Sequence, residues 1–175
     1  MNSIKRFELD ANQVKIKDIV KKRFLELEIW AISDIDPNRN ESHFTLESLE
    51  SVLPNCQNTP ILGYFERGDF VSHNGKMEYD KELENVFWNT EHGERILGWV
   101  RESDPVEIVE KNGLHWLKIR CVLCVAYAYN QVKRLLKDKT KKVSVEITVH
   151  NSTVREDGIE VIKDFTLNGI TILGS

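Results

Sequence analysis

Segment 142–149 carries a serine and a carboxylate within an alternating pattern of apolar and polar residues. The alternation is typical of a β-strand with one face in the core and the other turned toward chemistry or solvent. Ser144 and Glu146 share the polar face, about 7 Å apart along the strand. A serine becomes a useful nucleophile when a histidine takes its proton and a third group orients that histidine.

The candidate base is one of five histidines. His150 shares the strand face of Ser144, but six residues place it about 20 Å away. His73 is better placed, because it lies in a polar loop after an apolar strand, where functional side chains concentrate. Spacing alone leaves open whether this loop histidine and Ser144 meet. Packing or turn positions explain the other three, His43, His92 and His115.

The third member of such a site has two candidates. Glu146 lies on the same face as Ser144, within reach of a histidine placed between them. Asp164 alternates with Phe165 and Leu167, so it should lie on the face opposite these core residues. Alternatively, either carboxylate is simply exposed to solvent. The spacing does not decide between a catalytic role and solvent exposure.

Other site types find little support. The chain has no GxSxG, GxxxxGK[ST], HExxH or GxGxxG motif. Cys121 and Cys124 form a CxxC within an alternating apolar run that lacks a second ligand pair, which favours packing over metal binding. No compact metal-binding signature matches the spacing of four further polar residues, Asp69, His73, Glu78 and Asp80. We therefore expect neither a metal nor an organic cofactor.

Composition places the chain among globular proteins. Its 175 residues are 41% hydrophobic and 30% charged, which suits one domain with a substantial core. The net charge of −4 disfavours nucleic-acid binding, and no apolar run is long enough for a membrane helix. Three cysteines without a disulfide framework favour a reducing, intracellular setting.

The periodicities predict an α+β fold in a single domain, with a mainly antiparallel sheet or barrel core flanked by helices. Segments 45–53 and 127–137 are predicted helices, with Thr45 as an N-cap and Pro54 as a stop. Segment 10–22 is a short amphipathic helix or an extended arm, so we divide the chain into an N-terminal arm or helix at 1–23 and a main domain at 24–175. The abrupt ending after an apolar strand leads us to expect a longer natural chain. Strands are predicted at 24–33, 59–65, 96–101, 106–109, 114–125, 142–149 and within 159–173.

The order of several short motifs resembles the capsid maturation (prohead) proteases of tailed bacteriophages, which share a fold with the herpesvirus assembly proteases. The matching motifs span most of the chain from about residue 38 onward. They are Asn38-Arg39-Asn40 with Phe44, Thr59-Pro60-Ile61-Leu62-Gly63, Asp69-Phe70-Val71-Ser72-His73, Ile96-Leu97-Gly98-Trp99-Val100, Val143-Ser144-Val145-Glu146-Ile147 and the segment from Phe165 to Gly174.

The resemblance implies a serine endopeptidase that trims scaffold and major capsid proteins, and itself, inside an assembling procapsid in the host cytoplasm. Ser144 would be the nucleophile and His73 the base. Asp164 would be the third residue, since the family takes it from a later strand, with Glu146 second; Asn168 stands where several relatives have an acid. Self-association is expected, and neither nucleic acid nor a membrane is implied. The alternatives are a catalytically inactive, scaffold-like assembly domain and an unrelated β-rich binding module.

Overall fold

The computed structural model describes residues 3–8, 14–90 and 93–174, so His92 lies outside the described residues. Fourteen strands and two α-helices are present in these ranges. The helices are α1 (Leu46–Val52), followed by a 3-10 turn at Leu53–Asn55, and α2 (Tyr129–Asp138). The strands are β1 (Ser3–Glu8), β2 (Val14–Val20), β3 (Phe24–Ser33), β4 (Ser42–Phe44), β5 (Pro60–Gly63), β6 (Phe65–Glu66), β7 (Asp69–Phe70), β8 (Lys76–Asp80), β9 (Asn85–Asn89), β10 (Arg95–Trp99), β11 (Val106–Lys111), β12 (Leu114–Cys124), β13 (Lys142–Val154) and β14 (Glu160–Leu173).

Ten of the described strands form one mixed sheet. Its order is β1-β13-β14-β5-β10-β12-β3-β2, with β11 beside β12 and β4 beside β14. Most neighbours are antiparallel, but β14 runs parallel to both β4 and β5. The sheet is open and not a closed barrel, which corrects the barrel alternative for the core. One backbone hydrogen bond, from Val14 N to Lys141 O at 3.2 Å, ties β2 to the start of β13.

Local sequence signals explain much of this architecture. The Thr45 side chain accepts a hydrogen bond from Ser48 N and so caps α1, as predicted. Asn112 and Gly113 both have positive φ, as a two-residue hairpin turn between β11 and β12 requires. Residues 14–20 are extended and pair with β3, so the described part of the N-terminal segment is not a helix.

The core lies between α1 and the apolar faces of the sheet, which also pack against one another. In β13 the alternating residues Val143, Val145 and Ile147 are fully buried, as the period of two predicts. Leu49 and Val52 of α1 pack over β14. No described helix is long and apolar enough to cross a membrane.

Segment 64–94 is more structured than the predicted polar loop. It contains two small hairpins, β6–β7 and β8–β9, between the sheet strands β5 and β10. The turns within these hairpins use positive-φ residues at Arg67, Gly68 and Glu84. The chain between the hairpins carries His73 over the sheet.

Candidate active site

The His73 ring binds a buried carboxylate, Glu94, that the spacing of residues in the sequence did not indicate. Its ring Nδ1 lies 2.8 Å from Glu94 Oε1, and the same oxygen accepts a hydrogen bond from Asn74 N at 2.8 Å. The His73 and Glu94 side chains are only 7% and 3% exposed, so solvent screens this contact little. Because an ionised carboxylate only accepts, Nδ1 carries the proton of this hydrogen bond. Nε2 is buried and makes no hydrogen bond within the described part of the chain.

A second carboxylate connects His73 with the nucleophile strand. Glu146 Oε1 lies 3.5 Å from His73 Nδ1 and accepts a hydrogen bond from Thr171 Oγ1 at 2.9 Å. Thr171 is the register partner of Ser144 in the β13–β14 ladder. Ser144, Glu146 and Thr171 therefore lie on one face of the sheet, and His73 lies over that face.

Ser144 is completely buried, and its Oγ makes no hydrogen bond to any residue that the structure describes. A buried hydroxyl without a partner costs about 1–3 kcal/mol, so such a group needs an explanation. Its distance along the strand from Glu146 is about 7 Å, and Glu146 itself contacts His73. Ser144 and His73 thus both neighbour Glu146, and no hydrogen bond joins the two. Catalytic hydrogen bonds are often loose in unliganded enzymes.

Asp164 does not join this group, which corrects its predicted role as the third residue. It is exposed and pairs in register with Asn151, toward the far end of the β13–β14 hairpin. Asp164 lies seven residues before Thr171, and this spacing corresponds to about 23 Å along a strand. The prediction failed because β14 is a single long strand, so sharing that strand with the site does not bring Asp164 near it. The carboxylates at His73 are Glu94 and Glu146.

The other described histidines are engaged elsewhere. His115 Nδ1 pairs with Asp34 at 2.7 Å, and that hydrogen bond raises the pKa of His115. His150 Nε2 contacts Thr166 Oγ1 at 2.7 Å, and His43 Nδ1 lies 3.3 Å from Ile35 O. Among the described histidines, His73 is the one that contacts Glu146.

Ionic contacts fix the chain segment that leads to His73. Asp69, at the start of β7, contacts Lys141 Nζ at 3.0 Å and Arg134 at 2.9 Å. Lys141 is buried and also reaches Asp138 at 2.8 Å. Hydrogen bonds from Lys141 and then Arg134 lower the pKa of Asp138. The His73 segment is thereby attached to α2 and to the residue that precedes β13.

A β-bulge shapes the sheet beside Glu146. Glu146 pairs with Gly169, whereas the next residue, Ile147, pairs with Leu167, so Asn168 is the extra residue. The Asn168 side chain donates to Thr148 Oγ1 at 2.8 Å. Bulges of this kind re-aim side chains next to functional sites.

The cysteines take no part in this site. Burial raises the pKa of Cys56 to about 12 and also raises that of Cys121. All three cysteines are free thiols. Within the described ranges, no three His, Cys, Asp or Glu side chains form a group that could hold a metal ion.

The fold of this chain is similar to that of a known protein structure. The structure of the bacteriophage T4 capsid assembly protease gp21 is similar to this chain, with a TM-score of 0.56 over 99% of this chain and 98% of that one. The two sequences are 9% identical, so the likeness concerns the fold alone. A search of curated proteins gave no match. The YonD N-terminal domain profile matches residues 23–175, and the chain belongs to this family.

Proposed function

We propose that this chain is a serine endopeptidase that cleaves phage scaffold and capsid proteins, and itself, during procapsid assembly. The carrying observation is the buried His73–Glu94 contact, which leaves His73 Nε2 without a hydrogen bond over the face of Ser144. The fold likeness to a capsid assembly protease supports the same substrate class. Scaffold and major capsid proteins would then be its partners.

In the proposed mechanism, His73 Nε2 removes the Ser144 hydroxyl proton as Oγ attacks a peptide carbonyl. The same nitrogen then delivers that proton to the leaving amine, and water repeats the sequence on the acyl-enzyme. Glu94 takes the role first assigned to Asp164, because it holds the ring with Nδ1 protonated. Glu146 adds a second negative charge at 3.5 Å, which favours the imidazolium that forms during the reaction.

Control by assembly follows from the burial of the nucleophile. Ser144 has no exposed surface in this structure, so a peptide needs a rearrangement to reach it. A protease made beside its own substrates benefits from staying closed until it is packed with scaffold. We therefore propose that association within the procapsid opens access to Ser144.

The same burial favours a second candidate function. A scaffold-like assembly domain that keeps the fold but never cleaves would need no access to Ser144. In that case particles would assemble normally with a Ser144→Ala variant, and no processing would occur in wild type.

The first test is cleavage of denatured casein by the isolated chain over a wide range of protein concentration, followed by mass spectrometry. The proposal expects cleavage that rises with concentration and disappears in Ser144→Ala and His73→Ala. His150→Ala is the matched control, because His150 lies away from the site and contacts Thr166. Equal cleavage by all variants would contradict the proposal.

A further inference from the structure

A polar cleft of about 500 Å³ lies between the sheet and α2. Residues 63–65 form one wall, Gly93 and Arg95 form a second, and Asn130 and Gln131 of α2 form a third. Most of the surface that faces the open space is polar. Sites for small molecules usually measure about 300–1,000 Å³, so this cleft is large enough for a whole ligand.

The cleft and the candidate active site lie on opposite faces of β5. Leu62 lines a small cavity on the face of Glu146, whereas the next residue, Gly63, lines the cleft. Because successive residues of a strand point to opposite faces, the sheet separates the two spaces. Glu94 and Arg95 divide between the cavity and the cleft in the same way. The cleft is therefore a separate feature of the molecule.

Arg95 gives this cleft a positive charge. None of the described residues that line the cleft is acidic, although the whole chain has more acidic than basic side chains, 28 against 24. Arg95 is exposed and forms no ion pair with another residue that the structure describes. Its guanidinium is therefore available to a ligand.

We propose that the cleft binds the carboxylate or phosphate group of a small organic anion. The planar guanidinium of Arg95 matches two oxygens of either group with two parallel N–H donors. The side-chain amides of Asn130 and Gln131 supply further N–H donors from the opposite wall. This binding site goes beyond the proposed peptidase function and does not depend on it.

The size of the cleft requires more than the anionic group. An engineered cavity of about 150 Å³ already admits benzene, so a lone phosphate or carboxylate would leave most of the 500 Å³ empty. The ligand therefore carries an organic group beside its anion.

Two aromatic residues of the first wall can receive this organic group. Tyr64 and Phe65 line the cleft, and the Phe65 ring packs edge-to-face on Phe70 with 5.4 Å between the ring centroids. The backbone N–H of Val71 donates to Tyr64 O at 2.9 Å, which holds this wall in place. An aromatic anion is thus a better match for the cleft than acetate or inorganic phosphate.

The test is an NMR titration of the full chain with benzoate, phenyl phosphate, inorganic phosphate and the neutral benzamide. The side-chain N–H signals of Arg95, Asn130 and Gln131 report on the cleft. Benzoate or phenyl phosphate should shift these signals saturably and bind about tenfold more tightly than benzamide, because hydrogen bonds to an ionised group are the stronger ones. The tighter of the two aromatic anions distinguishes a carboxylate ligand from a phosphate ligand. Equal affinity for benzamide, or tightest binding of inorganic phosphate, would overturn the inference.

Arg95→Gln should weaken binding of the preferred anion about tenfold and leave benzamide unaffected. Arg155→Gln is the matched control, because it removes the same charge from an arginine that pairs with Asp36 and Asp157. Equal losses in both variants, or full binding by Arg95→Gln, would overturn the inference.

A second variant guards against a folding defect in Arg95→Gln. Asn130→Ala removes one amide from the exposed surface of α2 and should also weaken anion binding, with the backbone amide spectrum unchanged away from the cleft. Undiminished anion binding by Asn130→Ala would contradict the assigned donors. None of these titrations measures cleavage, so failure of the cleft to bind anions leaves the peptidase proposal intact, and an inactive Ser144 leaves the cleft proposal intact.

Discussion

Glu94 Oε1 binds His73 Nδ1 at 2.8 Å and, with the same oxygen, accepts the backbone N–H of Asn74. One carboxylate oxygen thus fixes both the histidine ring and the backbone that follows it. Both side chains are almost fully buried, so the contact is worth more than a surface ion pair. The arrangement resembles the way an orienting carboxylate holds a catalytic histidine.

The first prediction concerns the His73 tautomer. In wild type, nitrogen NMR should show a proton on Nδ1, because Glu94 accepts from Nδ1. Glu94→Gln should move the ring toward a mixture of tautomers, since an amide can also donate to Nδ1. Glu107→Gln is the matched control, because Glu107 contacts Lys118 on another part of the sheet. A wild-type Nδ1 without a proton would contradict this geometry.

The second prediction separates the candidate carboxylates by activity. Glu94→Gln should lower kcat/KM for peptide cleavage by up to about 10⁴-fold, the loss seen when the orienting carboxylate of a serine-protease triad is neutralised. Asp164→Asn should leave kcat/KM within about twofold, since its carboxylate is exposed and opposite Asn151. Peptide cleavage rates measured on both variants decide between them. A large loss of kcat/KM with Asp164→Asn and none with Glu94→Gln would show that Asp164, and not Glu94, is the third residue of the site.

Much of the site was readable in the sequence because local rules govern it. The alternation in 142–149 predicted the strand and placed Ser144 and Glu146 on one face, which β13 confirms. The loop position made His73 the preferred candidate base, while spacing left open whether it meets Ser144. These features depend on neighbours within a few residues, so a single sequence suffices to see them.

Glu94 could not be found this way, because its role arises from tertiary structure. It lies 21 residues after His73, and the β8–β9 hairpin between them, in which Lys76 pairs with Asn89, brings the two segments together. The β8–β9 hairpin escaped prediction for a related reason. Its strands are mostly exposed, so no alternation between core and solvent marks them.

The third prediction concerns pH. Hydrogen bonds from Lys141 and Arg134 lower the pKa of Asp138 below its usual 3.8. A lowered pKa in the folded state stabilises the protein at pH values above the unfolded pKa, and this stabilisation is lost as the pH falls through the folded value. Urea unfolding should therefore show that Asp138→Asn costs more free energy of unfolding at about pH 6 than at about pH 3. An equal cost at both pH values would contradict the assigned contacts.

The fourth prediction concerns the thiols. Burial raises the pKa of Cys56 to about 12 and raises that of Cys121, so both should resist iodoacetamide in the native protein. Cys124 is only half-buried and should be the thiol that reacts. Intact mass should show one adduct in the native state and three after denaturation. Rapid alkylation of Cys56 in the folded chain would argue against the described packing.

The most direct test of the account is processing in an assembling particle. The chain is expressed with its scaffold and major capsid proteins as wild type, Ser144→Ala, His73→Ala and the control His150→Ala, and the products are read by intact mass spectrometry. We predict that wild type and His150→Ala cleave the scaffold and themselves, whereas Ser144→Ala and His73→Ala leave every chain intact. Identical products from all four, or assembled particles without cleavage in wild type, would contradict the peptidase and favour the scaffold-like assembly domain.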